Sequence, residues 1–436
     1  MNKLFDIFLT LLGILNYYFN LKRSFTWDIE TIELNQFRKI KRLLIECAHH
    51  VPYYKNLFEV INFNPETDFS SIEDLSKIPI LKKRTVRRDP QAFINQNNGK
   101  NVLEFKTSGS SGNPFCAIVN LTQWVTEQSV VWRSWKLAGY RFRDRIAVLR
   151  SYSPEDSKQT IKFDKLRNFI FYSPFHLTEK DMAIYVDHMV EHRVLFLRGY
   201  PSSIAILAHY LKKHKTTKLK LKGIFTASEV VSQADRILIE EVFDCKVFDY
   251  YGLAEQIVTF SECKYHRGLH NNHEYGYLEL LKNEQTGRYN IIGTNLNNTA
   301  MPLIRYDTED LVEAFSLESC RCGYKSISVD RVHGRADTCI LTPDGDKIST
   351  VNFYTVLEHF PVESWQILQI SHEKLEVNFK VGQIAIEEED NIRARLQIEF
   401  SKRIPKNMSV STVFNKKFIR ISEGKKNAFV QLLNEN

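Results

Sequence analysis

No stretch of the 436 residues is apolar for long enough to cross a bilayer. The longest, Phe5–Phe19, carries 15 residues with Asp6 among them, and a spanning helix needs roughly 20. A secretory leader is also not expected. Only Lys3 precedes the run, and Asn16-Tyr17-Tyr18 follows it in place of a small-residue cleavage site. The expectation is a mature, non-secreted, cytoplasmic chain. Seven cysteines are an odd number, so complete pairing is excluded and a reduced setting is expected. There is no Gly-x-Ser-x-Gly elbow and no kinase signature set, which disfavours serine hydrolysis and kinase chemistry. Internal repeats and low-complexity tracts are absent. What is present is ordinary for a folded protein: 43% apolar and 25% charged residues exclude a disordered, collagen-like or disulfide-scaffold chain. The net charge of +7 is mild for this length. It argues against a nucleic-acid partner and fits anionic small substrates or an anionic membrane surface.

Two readings fit Phe5–Phe19: a helix packed on the body, or an in-plane membrane helix (residues 5–19) with Lys22 and Arg23 at headgroup level. Residues 30–60 read as helical, with Leu34, Phe37, Ile40, Leu43, Leu44 and Cys47 at helical spacing until Pro52. From about 100 to 255, strand candidates (Ile146–Leu149, Val194–Leu197, Gly223–Thr226, Lys246–Tyr250) alternate with helix candidates (Ala183–His192, Ile204–Lys215, Gln233–Phe243). Such alternation predicts α/β layering on a largely parallel sheet. After Gly334 the pattern becomes a hairpin, a helix near Val351–His359, strands at Gln366–Ser371 and Lys374–Val381, an acidic helix from about Ile386 to Phe400, and a strand at Ser409–Phe414. The expected architecture is a large layered α/β unit over 1–333 and a small α+β unit over 334–436. The six lysines of Lys212–Lys222 read as a solvated helix end and loop. His188-Met-Val-Glu191-His192 matches a metalloprotease pattern, and reads as a chance match on a half-exposed helix.

Thr107-Ser108-Gly109-Ser110-Ser111-Gly112-Asn113-Pro114 follows the strand candidate Val102–Phe105. Glycines let backbone N–H groups approach phosphate oxygens, and hydroxyls add donors. It is not a Walker loop, because no Gly-Lys-Ser/Thr follows. The segment resembles the phosphate loop of the adenylate-forming enzymes, and four further motifs follow in that family's order. They are Tyr251-Gly252-Leu253-Ala254-Glu255, Arg305-Tyr306-Asp307-Thr308-Glu309-Asp310, Gly334-Arg335-Ala336-Asp337 and Ser422-Glu423-Gly424-Lys425. Gln36-Phe37, Val51-Pro52-Tyr53-Tyr54, Arg198-Gly199-Tyr200-Pro201-Ser202 and Met301-Pro302-Leu303-Ile304 are similar to the phenylacetate–CoA ligase branch, especially its relatives in capsular-polysaccharide gene clusters.

The resemblance implies an adenylating body and a mobile carboxyl-terminal lid that rotates at the hinge. It implies ATP-dependent activation of a carboxylic acid as an acyl-adenylate, transferred to coenzyme A or another acceptor, in capsular or related surface-glycan synthesis. Alternatives on the same scaffold are acyl or aminoacyl transfer to a sugar without free CoA thioester, and a non-catalytic nucleotide-binding scaffold. It implies Lys425 as the cation that brings two anions together, Glu255 beside Mg²⁺ and Tyr251 as a face for adenine. The loop Thr107–Gly112 and Gly252 would cradle the nucleotide. Asp310 would accept the ribose hydroxyls, and Arg335 would reach ribose or phosphate. Asp337 would sit at the hinge. Trp132, Trp135, Phe175, His176 and Tyr200 read first as core packing, with walls of the acid's pocket as the alternative, and the resemblance suggests a homodimer. Ala254, Glu309, Thr338 and Phe115 depart from the family pattern.

Cys263, His270, Cys320 and Cys322 carry three thiols and one imidazole, a tetrahedral zinc set. Cys320-Arg-Cys322-Gly323 places two sulfurs on one turn, and His266 competes with His270 for the fourth place. Four protein ligands leave no open position, so the expected zinc is structural.

Overall fold

The computed structural model describes residues 3–97, 102–106, 116–152, 154, 159–174, 176–215, 219–284, 287–333, 339–344, 347–350, 353, 356–357, 360–362, 364–382, 386–419 and 429–433. Thr107, Ser108, Gly109, Ser110, Ser111, Gly112, Phe115, Phe175, Arg335, Asp337, Thr338 and Lys425 lie outside them.

Helix α1 (Lys3–Asn16) runs through a π turn into α2 (Lys22–Ser24). α1 lies on α6 (Leu121–Leu137). Gly13 permits the approach, since a Cβ there would fall 2.3 Å from Gln128 Cβ. Asn16 Nδ2 donates to Ser129 Oγ, which donates to the Gly13 carbonyl. The packed-helix reading therefore describes one face, with Leu9 fully buried. The other face exposes Phe8, Leu11, Leu15, Tyr18 and Phe19. Among the described residues, no helix is long and apolar enough to cross a membrane.

Asp28 caps α3 (Ile29–His50) by accepting from Thr31 N–H. Pro52 divides this helix from α4 (Pro52–Val60), where it occupies the first turn. Ile40, Leu43, Leu44 and Cys47 are buried as the spacing predicts, but Leu34 is exposed and Gln36 takes its place, donating to the His273 carbonyl. A polar side chain with a carbonyl to satisfy has displaced an apolar one from the inner face.

After α5 (Lys83–Arg88), β1 (Val102–Lys106) and β2 (Cys116–Asn120) form an antiparallel pair. The next strands are β3 (Ile146–Leu149), β4 (Ile161–Asp164), β5 (Phe169–Tyr172), β6 (Phe196–Gly199), β7 (Gly223–Ala227), β8 (Val247–Tyr251), β9 (Phe260–Glu262) and β10 (Leu269–Asn271). With β14 (Phe315–Ser316) and β15 (Ser328–Val329) they make one sheet ordered β14-β15-β10-β9-β8-β7-β6-β3-β5-β4. Only its centre is parallel: β5, β3, β6, β7 and β8. The flanks are antiparallel, so the largely parallel expectation holds for the middle alone. Helices α7 (Glu179–Glu191), α8 (Pro201–Lys213) and α9 (Gln233–Phe243) cover one face. α6 covers the other through Trp132 and Trp135. β11 (Gly276–Lys282), β12 (Tyr289–Asn295), β13 (Tyr306–Val312) and β16 (Val332–His333) form a second, antiparallel sheet.

The carboxyl-terminal unit has its own core. β17 (Cys339–Leu341) pairs with β18 (Lys347–Ser349). β19 (Ser364–Ser371), β20 (Lys374–Lys380), β21 (Ser409–Phe414) and β22 (Phe429–Gln431) make a four-stranded sheet under α10 (Ile386–Ser401). Ile340, Phe353, Leu357, Phe379, Leu396 and Phe400 fill it. The architecture is thus a large α/β unit followed by a small α+β unit.

Candidate active site and metal centre

Parallel strands bind ligands beyond their carboxyl ends, and β8 ends there on Tyr250-Tyr251. The Tyr251 hydroxyl donates to Asp310 Oδ2 at 2.7 Å. Burial, then the Asp310 charge, push the Tyr251 phenol well above its ordinary value. Asp310 comes from β13 of the second sheet, and a bulge aims it. Asp307 pairs with Ile292 and Leu311 with Asn290, so Thr308, Glu309 and Asp310 oppose a single residue, Ile291. Thr308 Oγ1 donates to the Ile291 carbonyl and accepts from Asp310 N–H. Glu309 sits in the bulge at φ +66°. This is the left-handed region that glycine enters without cost, a physical reason for glycine in the motif that Glu309 departs from. Gly252 lies at the turn, where a Cβ would meet the Tyr250 ring at 3.1 Å.

Glu255 lies deeper. Its Oε1 accepts from Lys83 Nζ at 2.6 Å and from the Tyr306 hydroxyl at 3.0 Å. Burial pushes the carboxyl up, and Lys83 outweighs burial, so it ends below its ordinary value. Nothing local in the sequence singles out Lys83. A parallel bridge places it: Leu81 N–H donates to the Arg305 carbonyl, and Asp307 N–H donates to the Leu81 carbonyl. α5 then starts, and two adjacent lysines diverge, Lys82 to Asp307 at 2.8 Å and Lys83 to Glu255. Arg305, first in its motif, is an internal clamp. It binds Glu279 through Nε and Nη2, and donates Nη1 to the Ser76 and Ile78 carbonyls.

The structure therefore brings Tyr251, Gly252, Glu255 and Asp310 together. Of the candidate acid-pocket walls, Trp132 and Trp135 are mostly buried in the aromatic core beneath the sheet. Tyr200 pairs with Ser151, and His176 with Ser173.

The four metal-ligand candidates also converge. Cys263, His270, Cys320 and Cys322 hold their donor atoms within 4.8 Å of one another. Cys263 Sγ lies 3.7 Å from Cys320 Sγ, and His270 Nε2 lies 3.7 Å from Cys322 Sγ. With zinc–sulfur bonds of about 2.3 Å, a tetrahedron has sulfur–sulfur edges of about 3.8 Å. Pairing of β10 with β15 brings the His270 strand beside the Cys320 turn, and Gly323 (φ +87°) closes that turn. Tyr265 and Tyr324 N–H groups point at the Cys263 and Cys322 sulfurs. His270 Nδ1 meets Ser326 Oγ at 3.3 Å, leaving Nε2 for the ion. His266 sits apart, against Glu262 and the Phe248 ring. The residues fit zinc held by four protein donors.

Arg133 on α6 ties this centre to the body. Its guanidinium donates to both Glu274 oxygens, Asn272 Oδ1 and the Tyr324 hydroxyl. Burial pushes the Glu274 carboxyl up, but Arg133 and His273 outweigh burial and hold it well below the carboxylate range.

No family model matches the chain. It is 22% identical to protein CapK of Staphylococcus aureus, over 82% of this chain and 80% of CapK. It is 24% identical to phenylacetate-coenzyme A ligase of Thermus thermophilus, over 72% of this chain and 74% of that protein. A crystal structure of 2-hydroxyisobutyryl-CoA ligase with 2-HIB-AMP and CoA has a similar fold. Its TM-score is 0.59 at 17% identity, covering 94% of this chain and 92% of that one. The chain is thus similar to the phenylacetate–CoA ligases and to CapK, with the fold of an acyl-CoA ligase along nearly its whole length.

Proposed function

We propose that this protein activates a carboxylic acid with ATP, releases pyrophosphate, holds an acyl-adenylate and passes the acyl group to the thiol of coenzyme A. The observation that carries this reading is the Tyr251–Asp310 pair at the carboxyl edge of the parallel strands. It supports adenine against the Tyr251 ring and ribose hydroxyls donating to Asp310. The loop Thr107–Gly112 would take the phosphates. Mg²⁺, when bound, offsets the triphosphate charge, and Glu255 would face it through the oxygen that Lys83 and Tyr306 leave. Lys425, Arg335 and Asp337 complete the reading: Lys425 brings the acid's carboxylate and the α-phosphate together, and the unit over 334–436 turns at Arg335–Asp337 between adenylation and transfer.

CapK as a relative supports a place in capsular or related surface-glycan synthesis. The exposed apolar face of α1, with Lys22 and Arg23 at its end, supports contact with the anionic inner face of a membrane. Zinc in the Cys263, His270, Cys320 and Cys322 site is structural.

The test is pyrophosphate release from ATP and Mg²⁺ over a carboxylic-acid panel, with and without coenzyme A. Acid-dependent release, and an acyl-CoA product when coenzyme A is added, are expected. Asp310→Ala and Lys425→Ala each lower the rate by about 100-fold or more. Acid-dependent release with no CoA product would move the acceptor to an amine or a sugar. Silence over the panel with no ATP binding would make the chain a non-catalytic relative.

A further inference from the structure

Among the described residues, Arg198 is a charge without an ion-pair partner. It lies on β6 in register with Val148 and Phe225, on the sheet face that α6 covers. Its guanidinium lies 5.1 Å from the centre of the Trp135 ring. The stem thus lies on the face that carries the aromatic cluster of Trp135, Phe196, Phe225 and Phe248, and the head stands over the Trp135 ring. A guanidinium placed like this is normally held by a carboxylate or carbonyls. Among the described residues, Arg198 makes no hydrogen bond and no ion pair.

Among the described residues, the charges around it do not compensate. Glu127 on α6 is the acid that acts on it, yet it makes no ion pair with Arg198 and accepts from the Tyr250 hydroxyl at 3.1 Å. Burial pushes the Glu127 carboxyl up, toward its neutral form. A second cation stands at the rim. Arg150, just beyond β3, donates to Ser228 Oγ at 3.2 Å and covers the Tyr200 ring. Another described carboxylate at this edge, Glu229, accepts from Ser202 N–H at the start of α8. Burial, then Arg150, weigh against the Arg198 charge, but a guanidinium stays protonated. An anion that arrives with the substrate would complete the site.

We infer that the acid this protein activates carries a second carboxylate, and that Arg198, with Arg150 at the rim, binds it. This rests on the acyl-activating reading above. Neighbouring strands lie about 4.8 Å apart, so β6 is roughly 10 Å across the sheet from β8 and its Tyr251–Asp310 end. A short dicarboxylate, from succinate to adipate, spans that distance together with the reach of an arginine.

The experiment is ATP–pyrophosphate exchange with matched pairs: succinate and butyrate, glutarate and valerate, adipate and hexanoate. One diacid is expected to exceed its monoacid partner by about 10- to 100-fold in kcat/KM. Arg198→Met is expected to collapse that ratio to near one, chiefly through KM for the diacid, and Arg198→Lys to keep part of it. A monoacid preferred in every pair would overturn the inference. So would Arg198→Met lowering both members of a pair equally, because Arg198 would then hold the reacting carboxyl or the fold. Thermal unfolding with each acid, without ATP, keeps the two readings apart. If exchange is silent but glutarate or adipate raises Tm in the wild type and not in Arg198→Met, the carboxylate site stands and the adenylation reading fails. No exchange preference together with no Tm shift overturns the site.

Discussion

Arg133 belongs to α6 and Arg198 packs against it, and their surroundings are opposite. Arg133 spends its donors on Glu274, Asn272 and Tyr324, tying α6 to the zinc-site turn. Arg198 meets a tryptophan ring and no acceptor among the described residues. A buried cation that is fully answered holds structure together. Arg198, half-buried near the carboxyl end of β6 and unanswered among the described residues, is placed for a substrate. The two regions divide in the same way: the β9–β10–β15 side carries the candidate zinc ligands and the Arg133 bonds, and the β6–β8 edge is where we propose that the substrate binds.

The sharpest way to break this comparison is to remove what holds the rigid side. Zinc is expected at one ion per chain. Stripping it with a chelator, or replacing Cys320 and Cys322 by serine, should cost about 3–5 kcal/mol in urea unfolding. Full stability in metal-free protein would remove the structural role. Arg133→Met should cost a similar 3–5 kcal/mol, because the buried Glu274 carboxylate loses the cation that pairs with it. Arg198→Met should cost under about 1 kcal/mol or stabilise, since no pair is broken. Equal losses for the two variants would erase the distinction.

The two regions should also differ in pH dependence. Glu274 titrates below its unfolded value of about 4.3. Its contribution is therefore complete above that pH and is lost only as pH falls through the lower folded value. Asp249, on β8, behaves oppositely: burial, then Glu262, push it up to about 7. Its folded value lies above the unfolded value of about 3.9, so its contribution is present below that pH and is lost as pH rises toward 7. Asp249→Asn should accordingly gain about 1–2 kcal/mol at pH 8, and less at pH 5. A constant difference across that range would contradict the assignment. The smallest expected effect is at the bulge. Glu309→Gly should change stability by under about 1 kcal/mol, because the lost left-handed strain offsets the added chain entropy. A large loss would mean that the Glu309 side chain, not its backbone, shapes the loop.

Local chemistry made much of this legible. The Cys–His set is readable because ligand types and a Cys-x-Cys-Gly turn are local features, though choosing His270 over His266 needed the β10–β15 pairing. Helix Gln233–Phe243 follows from periodicity, and strand Ile146–Leu149 from its short continuous apolar run. The helix carrying Trp132 and Trp135 was not anticipated, because it is buried on several sides and shows little periodic contrast. Lys83 and Arg198 were not legible as site residues. Their roles come from which partner lies across the fold, Glu255 for one and none for the other. The antiparallel flanks of the large sheet were hidden because strands of three residues carry no alternation.

The most direct test of the central claim is ATP–pyrophosphate exchange in the presence of a carboxylic acid. The account predicts acid-dependent incorporation of labelled pyrophosphate into ATP by the wild type, and a loss of about 100-fold or more in Asp310→Ala. Exchange that needs no acid, or that survives Asp310→Ala undiminished, would contradict it.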